Sequence, residues 1–273
     1  MPYFLAILAG AIQGLTEFIP VSSTAHLVIF HDLLGFNLPD NLAFDAILHL
    51  GTFFALLAFF WREVWNLIKG FFASLTNWNL KNDFNQRLAW LILIGSIPAV
   101  IAGFLLNDLI DQYLHNGRLA IIVIAVALIL VALLFWLAEK YAKQIDGLKE
   151  LTWQKSLLVG LAQALALIPG VSRSGLTIIA GLGQKLKREE AAKFSFLLSM
   201  PIIFGAGAKS LLQVGFDQNI NWLLLACGFL SALIFGYLAV RFLLKYLNSH
   251  SLSAFAWYRV ILAAALIVWL IFY

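Results

Sequence analysis

Apolar residues run along this chain in blocks too long and too continuous for the surface of a water-soluble domain. Six blocks approach the roughly 20 residues that a helix needs to cross about 30 Å of hydrocarbon. They are Leu42–Trp61, Leu88–Leu106, Leu119–Ala138, Phe194–Leu212, Trp222–Val240 and Phe255–Tyr273. Two further blocks are apolar but broken. The first begins at Tyr3, is interrupted at Pro20-Val21-Ser22-Ser23-Thr24, and resumes to Leu34. The second begins at Ser156, is interrupted between Pro169 and Gly175, and fades by Leu182. An arm such as Ser22–Leu34 or Ser156–Ile168 reaches only about 20 Å as a helix, too short to span. Both blocks are therefore predicted to enter the membrane as re-entrant hairpins and return to the same side.

Charge agrees with this layout. Hydrophobic residues make up 62% of the 273 and charged residues 12%. The charged share is about half that of soluble domains, too little to build a polar coat. Lysine and arginine are absent from Met1 to Trp61, and four lie between Arg62 and Arg87. One lies in Asn107–Arg118, four each in Glu139–Lys155 and Gly183–Lys193, and none in Gln213–Asn221. Arg241 and Lys245 follow the block that ends at Val240. Under the positive-inside rule this alternation fits six spans plus two hairpins, the first dipping from outside and the second from the cytoplasm.

The two broken blocks also match each other at an offset of 150 residues: Gly10/Gly160, Gln13/Gln163, Leu15/Leu165, Val21/Val171 and Ser22/Ser172, five identities in fifteen positions. Composition alone would give roughly one or two. Three spans separate the copies, and an odd number inverts the second relative to the first. The predicted fold is all-α integral membrane, with six transmembrane helices and two re-entrant helical hairpins in an inverted-topology repeat. Residues 1–273 form a single membrane domain whose repeat halves cover approximately 1–138 and 150–273. Broken helices in inverted repeats place a binding site near the midplane, where the breaks meet. The N-terminus has no basic region of a cleavable signal, so the first block is expected to stay in the mature protein. Cys227, the single cysteine, reads as a small core residue, since one thiol cannot form an internal disulfide.

Chemistry concentrates at the breaks. Gln13 and Glu17 lie four apart on one helix face, Pro20 ends that helix, and Ser22, Ser23 and Thr24 can cap the next. His26 is close enough in sequence to stand over the same cap. The second break supplies Ser172, Arg173 and Ser174 at another helix start. A helix start inside a membrane offers unpaired N–H groups to an anion, and the arginine fork suits bidentate phosphate binding. An arginine in a membrane-embedded break needs a partner or water. Together these groups describe a phosphate-ester or diphosphate site with an acid/base pair. Asp45, His49 and Lys209, inside spans, read as structural or access-lining, and His31 and Asp32 as end-of-arm residues. The run Lys185-Leu-Lys-Arg-Glu-Glu reads as a solvated cytoplasmic face.

The stretches Gln-Gly-Leu-Thr-Glu-Phe-Ile-Pro-Val-Ser-Ser-Thr-Ala-His and Ile-Pro-Gly-Val-Ser-Arg-Ser-Gly-Leu-Thr resemble the two signature motifs of the bacterial undecaprenyl-diphosphate phosphatase, or bacitracin-resistance, family. The likeness extends over the full chain. It implies hydrolysis of undecaprenyl diphosphate to the monophosphate, which recycles the lipid carrier for peptidoglycan and confers bacitracin resistance. It also implies a magnesium or calcium ion, a multi-pass location in the bacterial plasma (inner) membrane, and a site open to the outer side. The implied partners are the polyprenyl diphosphate and membrane lipids, with no nucleic acid; a homodimer stays open. Carried onto matching positions, the catalytic set is Glu17, Ser23, His26 and Arg173. The phosphate-binding set is Ser22, Thr24, Ser172, Arg173, Ser174 and Thr177, and the metal-binding pair is Glu17 and Gln13. The family often has glutamate where this chain has Gln13, so two carboxylates are not available from this motif alone. Ser23 and His26 stay open as nucleophile.

Two other readings use the same residues. Inverted repeats with broken helices also build transporters, which leaves a lipid-phosphate flippase or an ion-coupled transporter as the alternative. The acid-phosphatase-like lipid phosphatases need an Arg-Pro element, and no Arg-Pro occurs in this chain.

Overall fold

The first helix shows how the chain builds a membrane fold without a soluble core. In the computed structural model, which describes residues 2–33, 35, 41–114, 117–214 and 221–272, α1 covers Pro2–Phe18. Pro2 sits in the first turn, where its missing N–H would be unpaired anyway. Gly10 and Gly14 bring α1 close against α10 (Trp222–Ser249): a Cβ at Gly10 would stand 2.8 Å from the Ser231 Cβ, and one at Gly14 2.7 Å from the Gly236 nitrogen. Between apolar helices in lipid, such small-residue seams supply the packing that the hydrophobic effect does not. The Ser231 hydroxyl locks the seam by donating to the Ile7 carbonyl at 2.6 Å.

The second broken block repeats this device with a different partner. Helix α7 (Trp153–Leu165) lies against α5 (Phe84–Leu114), where a Cβ at Gly160 would stand 3.0 Å from the Gly95 Cα. Here the Ser156 hydroxyl donates to the Leu91 carbonyl at 2.6 Å. Gly10 and Gly160, matched in the sequence repeat, do the same work, and each hairpin packs on a span from the other half of the chain. The return arms are α2 (Ser23–Val28), continued by a π-helical turn over Ile29–Leu33, and α8 (Arg173–Gly183). At eleven residues each, both reach only about 17 Å.

Five helices are by themselves long and apolar enough to cross a membrane among the described residues. They are α5, α6 (Gly117–Tyr141), α9 (Arg188–Val214), α10 and α11 (Ser253–Phe272). The sixth predicted span is α3 (Asn41–Phe59), which turns by 85° at Phe60 into α4 (Trp61–Thr76). Sequence reading treats residues 62–87 as a loop. The structure makes most of it an amphipathic helix that buries Leu67, Gly70 and Ser74 and exposes Arg62 and Lys69. Val64, Leu67 and Phe71 recur at helical spacing on its inward face, beside the small residues Gly70 and Ser74. The predicted limits Leu34 and Tyr273, and residues 115–116 and 215–220 of two predicted loops, lie outside the described residues. No strand occurs among the described residues; a single bridge joins Asp146 to Leu186.

The span surfaces are apolar, as lipid contact demands: Phe104 is 88% and Phe272 76% exposed. This is an integral membrane protein. The largest buried cluster contains Val21 and Val171 from the two breaks together with Phe18, Phe135 and Phe196. Its core therefore sits at the point where the hairpin tips meet.

Candidate active site

Each break ends in a serine whose backbone is held in a conformation that L-residues avoid. Ser22 has φ 76° and ψ 99°, and Ser172 has φ 71° and ψ 110°. Such residues cost roughly 1–3 kcal/mol and persist only where the surroundings fix them. Both serines cap the helix that follows. Ser22 Oγ accepts from the Ala25 N–H at 3.3 Å, and Ser172 Oγ accepts from the Gly175 N–H at 3.2 Å. Closely similar geometry at the two positions of the sequence repeat makes each tip a capped helix start, whose first N–H groups have no partner within the helix.

Glu17 is the hub between the tips. Its Oε1 accepts from Arg173 Nη2, a contact between residues 156 apart in sequence. Its Oε2 accepts from the Ser23 hydroxyl at 2.8 Å and from Gln13 Nε2 at 3.0 Å. Gln13 Nε2 also reaches Nδ1 of His49 on α3 at 3.1 Å. Arg173 is steadied from α9, where Nη1 donates to the Ser199 carbonyl at 3.4 Å. Glu17, Ser23, Thr24, His49, Ser172 and Arg173 line one cavity of about 190 Å³, with Ile202 and Ile203 on its apolar side. That is room for several waters or a phosphate group. Ser22 belongs to the same wall.

The remaining predicted residues stand behind this wall. Ser174 is buried with its Oγ 3.3 Å from that of Ser172. Thr177 donates to the Arg173 carbonyl at 2.7 Å and meets the Ser195 hydroxyl at 2.6 Å, so it fixes the first turn of α8. His26 does not line the cavity. Its Nδ1 lies 2.7 Å from the Ser22 carbonyl and its Nε2 2.7 Å from the Tyr258 hydroxyl, with the two rings stacked. A carbonyl can only accept, so Nδ1 carries the proton and Nε2 accepts from Tyr258.

A divalent cation can be tested against the donors present. Among the described residues no three His, Cys, Asp or Glu side chains converge. The oxygen donors at this point are Glu17 and Gln13, whose Oε1 is buried with no partner. Glu17 has about four lone-pair sites, and three bonds occupy them here. One carboxylate and one orphaned amide oxygen suit magnesium or calcium, hard cations that complete their shell with water and phosphate oxygens.

The family model of the bacitracin resistance protein BacA matches residues 6–265, a stretch that contains both breaks. The chain belongs to that family. A protein of Thermomicrobium roseum named undecaprenyl-diphosphatase is 43% identical over 98% of both chains. Proteins of the same name from Methanosphaera stadtmanae and Aliivibrio salmonicida are 40% and 39% identical, over 96% and 99% of each chain. In this BacA-family chain the sequence motifs omit two residues that hold the breaks, Tyr258 and Arg259 on α11. Arg259 is fully buried and, among the described residues, donates to backbone carbonyls, including those of Pro20 and Gly170. The available signal was an arginine in the interior of the apolar block Phe255–Tyr273, which demands an explanation wherever it occurs. His49, expected to be structural or access-lining, does line the cavity, but its contact with Gln13 depends on how α1 and α3 pack and has no signal in the sequence.

Proposed function

We propose that this protein hydrolyses undecaprenyl diphosphate to undecaprenyl monophosphate and inorganic phosphate, with the reaction at the meeting point of the two hairpins. The observation that carries this reading is Glu17, which holds the Ser23 hydroxyl on one oxygen and Arg173 on the other. A nucleophile, a base and a group that orients the base are thus in hydrogen-bond reach of one another. Ser23 Oγ attacks the terminal phosphorus and its proton passes to Glu17. The bond from that phosphorus to the bridging oxygen breaks, and the monophosphate leaves. Water then attacks the phosphoserine, giving inorganic phosphate and restoring Ser23. Arg173 and the N–H groups at the starts of α2 and α8 receive the charge on the phosphoryl oxygens. Glu17 and Gln13 would hold a divalent cation, whose chemistry is to neutralise phosphate charge. His26, tied to Ser22 and Tyr258, positions the first cap.

The relatives are named undecaprenyl-diphosphatase, which supports this activity over lipid flipping or coupled transport. The lysines and arginines of residues 62–87, 139–155 and 183–193 support a plasma-membrane orientation with these segments cytoplasmic and the cavity open to the outer side. The test is phosphate release from farnesyl or undecaprenyl diphosphate by purified protein in detergent, followed by trapping of the phospho-enzyme. Wild type is expected to release phosphate and to yield an acid-stable adduct that Ser23→Ala abolishes. An acid-labile adduct would move the nucleophile to His26, and an acid-stable adduct that survives in Ser23→Ala would move it to a neighbouring hydroxyl, Ser22 or Thr24.

A further inference from the structure

We infer that Arg259 is a positioning residue that fastens the two hairpin tips to each other and aims both phosphate-gripping caps. Its side chain is fully buried in α11 and does not itself line the cavity, but it bonds the carbonyl of Gly170, which does. Nη1 donates to the Pro20 carbonyl of the first break at 3.3 Å. Nη2 donates to the Gly170 and Val171 carbonyls of the second break at 2.9 and 3.0 Å. Nε and Nη2 also reach the Leu128 and Ala127 carbonyls of α6 at 3.3 and 3.4 Å, and the guanidinium lies over the Phe135 ring. One rigid fork thus binds both breaks and the span beside them.

The consequence follows from peptide geometry. A trans peptide sets its C=O and N–H in opposite directions. When Arg259 draws the Val171 carbonyl toward itself, the N–H of Ser172 is turned the other way, and Ser172 is a cavity residue. At the first break the held carbonyl is that of Pro20, one residue further from the serine, and the Val21 N–H opposite it closes a turn onto the Ile19 carbonyl at 2.7 Å, which sets the approach to Ser22. The unusual backbone of Ser22 and Ser172 requires an external tie, and the same side chain touches the segment before each. Among the described residues no carboxylate hydrogen-bonds or ion-pairs with the Arg259 guanidinium, and its hydrogen bonds go to carbonyl oxygens. A fork with five fixed donors can divide itself among such acceptors, and a lysine ammonium cannot.

The catalytic part of this inference rests on the proposed phosphatase reaction, so the test has two readouts. Arg259→Lys is made in the full chain, with Phe135→Leu as a milder variant that leaves Arg259 in place. Amide hydrogen exchange in detergent is expected to rise in both break segments, 19–24 and 168–175, with the remaining helices unchanged. Phosphate release per folded molecule is expected to fall about 10²-fold in kcat for Arg259→Lys, with KM within about twofold of wild type. Phe135→Leu should show the same pattern more weakly. Combining Arg259→Lys with Ser172→Ala should give a loss smaller than the product of the two single losses, since both act on one cap. Wild-type kcat per folded molecule, exchange that rises in one break alone, or multiplicative losses would overturn the latch. If Arg259→Lys fails to fold, Phe135→Leu decides by the same criteria. If wild type releases no phosphate, the phosphatase reading has failed, and exchange at the two breaks alone decides the latch.

Discussion

Ser172 sets two effects against each other at one residue. Its hydroxyl accepts from the Gly175 N–H, and its backbone sits at φ 71°. Alanine there loses the cap and keeps the strained backbone, at about 1 kcal/mol for the cap. Glycine also loses the hydroxyl but adopts positive φ without strain. Ser172→Ala is therefore expected to lower the thermal unfolding midpoint in detergent more than Ser172→Gly, and both should release phosphate measurably but more slowly than wild type. The reverse order of midpoints would mean that the backbone is not strained. At this scale the motifs gave Glu17, Ser23 and Arg173 correctly as neighbours, because short stretches fix which residues sit at a helix start. They could not place His26, whose orientation depends on Tyr258, 232 residues away. Rotation of a side chain about its helix is settled by tertiary partners, and the local pattern carries no information about them.

Between helices, the deciding quantity is how closely two backbones approach. Gly160 leaves no room for a side chain against Gly95 of α5, whereas a Cβ at Gly103, also in α5, meets nothing within 4 Å. Gly160→Leu is expected to force α7 away from α5 and destabilise by about 1–3 kcal/mol or more. Gly103→Ala should be neutral or stabilise by up to about 1 kcal/mol through helix propensity. Thermal unfolding of the two variants side by side checks this, and equal midpoints would refute the seam. The long spans were legible from the length of their apolar blocks, and the hairpins from their interruptions. Helix α4 was not, because at 16 residues with Arg62, Glu63 and Lys69 it falls short of a span, although Val64, Leu67 and Phe71 recur at helical spacing. Its bend from α3 at Phe60 has no proline or glycine to announce it.

For the molecule as a whole, the repeat told where to look, and packing supplied the join. Each hairpin lies against a span of the other half, and the tips are tied by Glu17 and Arg173, both poorly accessible to water. Removing one member of a buried ion pair leaves the other charge uncompensated, which typically costs about 3–5 kcal/mol, whereas replacing both by neutral groups is often far less harmful. Glu17→Gln and Arg173→Met are each expected to lower the unfolding midpoint. The double variant should regain much of that stability, because no buried charge is left without its partner. Phosphate release should stay abolished in all three, since the double variant has neither the base nor the phosphoryl-binding cation. A double variant no more stable than the weaker single variant would show that the halves are joined by the glycine seams and the Arg259 fork alone. Recovered stability without recovered turnover would separate the two duties of this pair, holding the hairpins together and acting on phosphate.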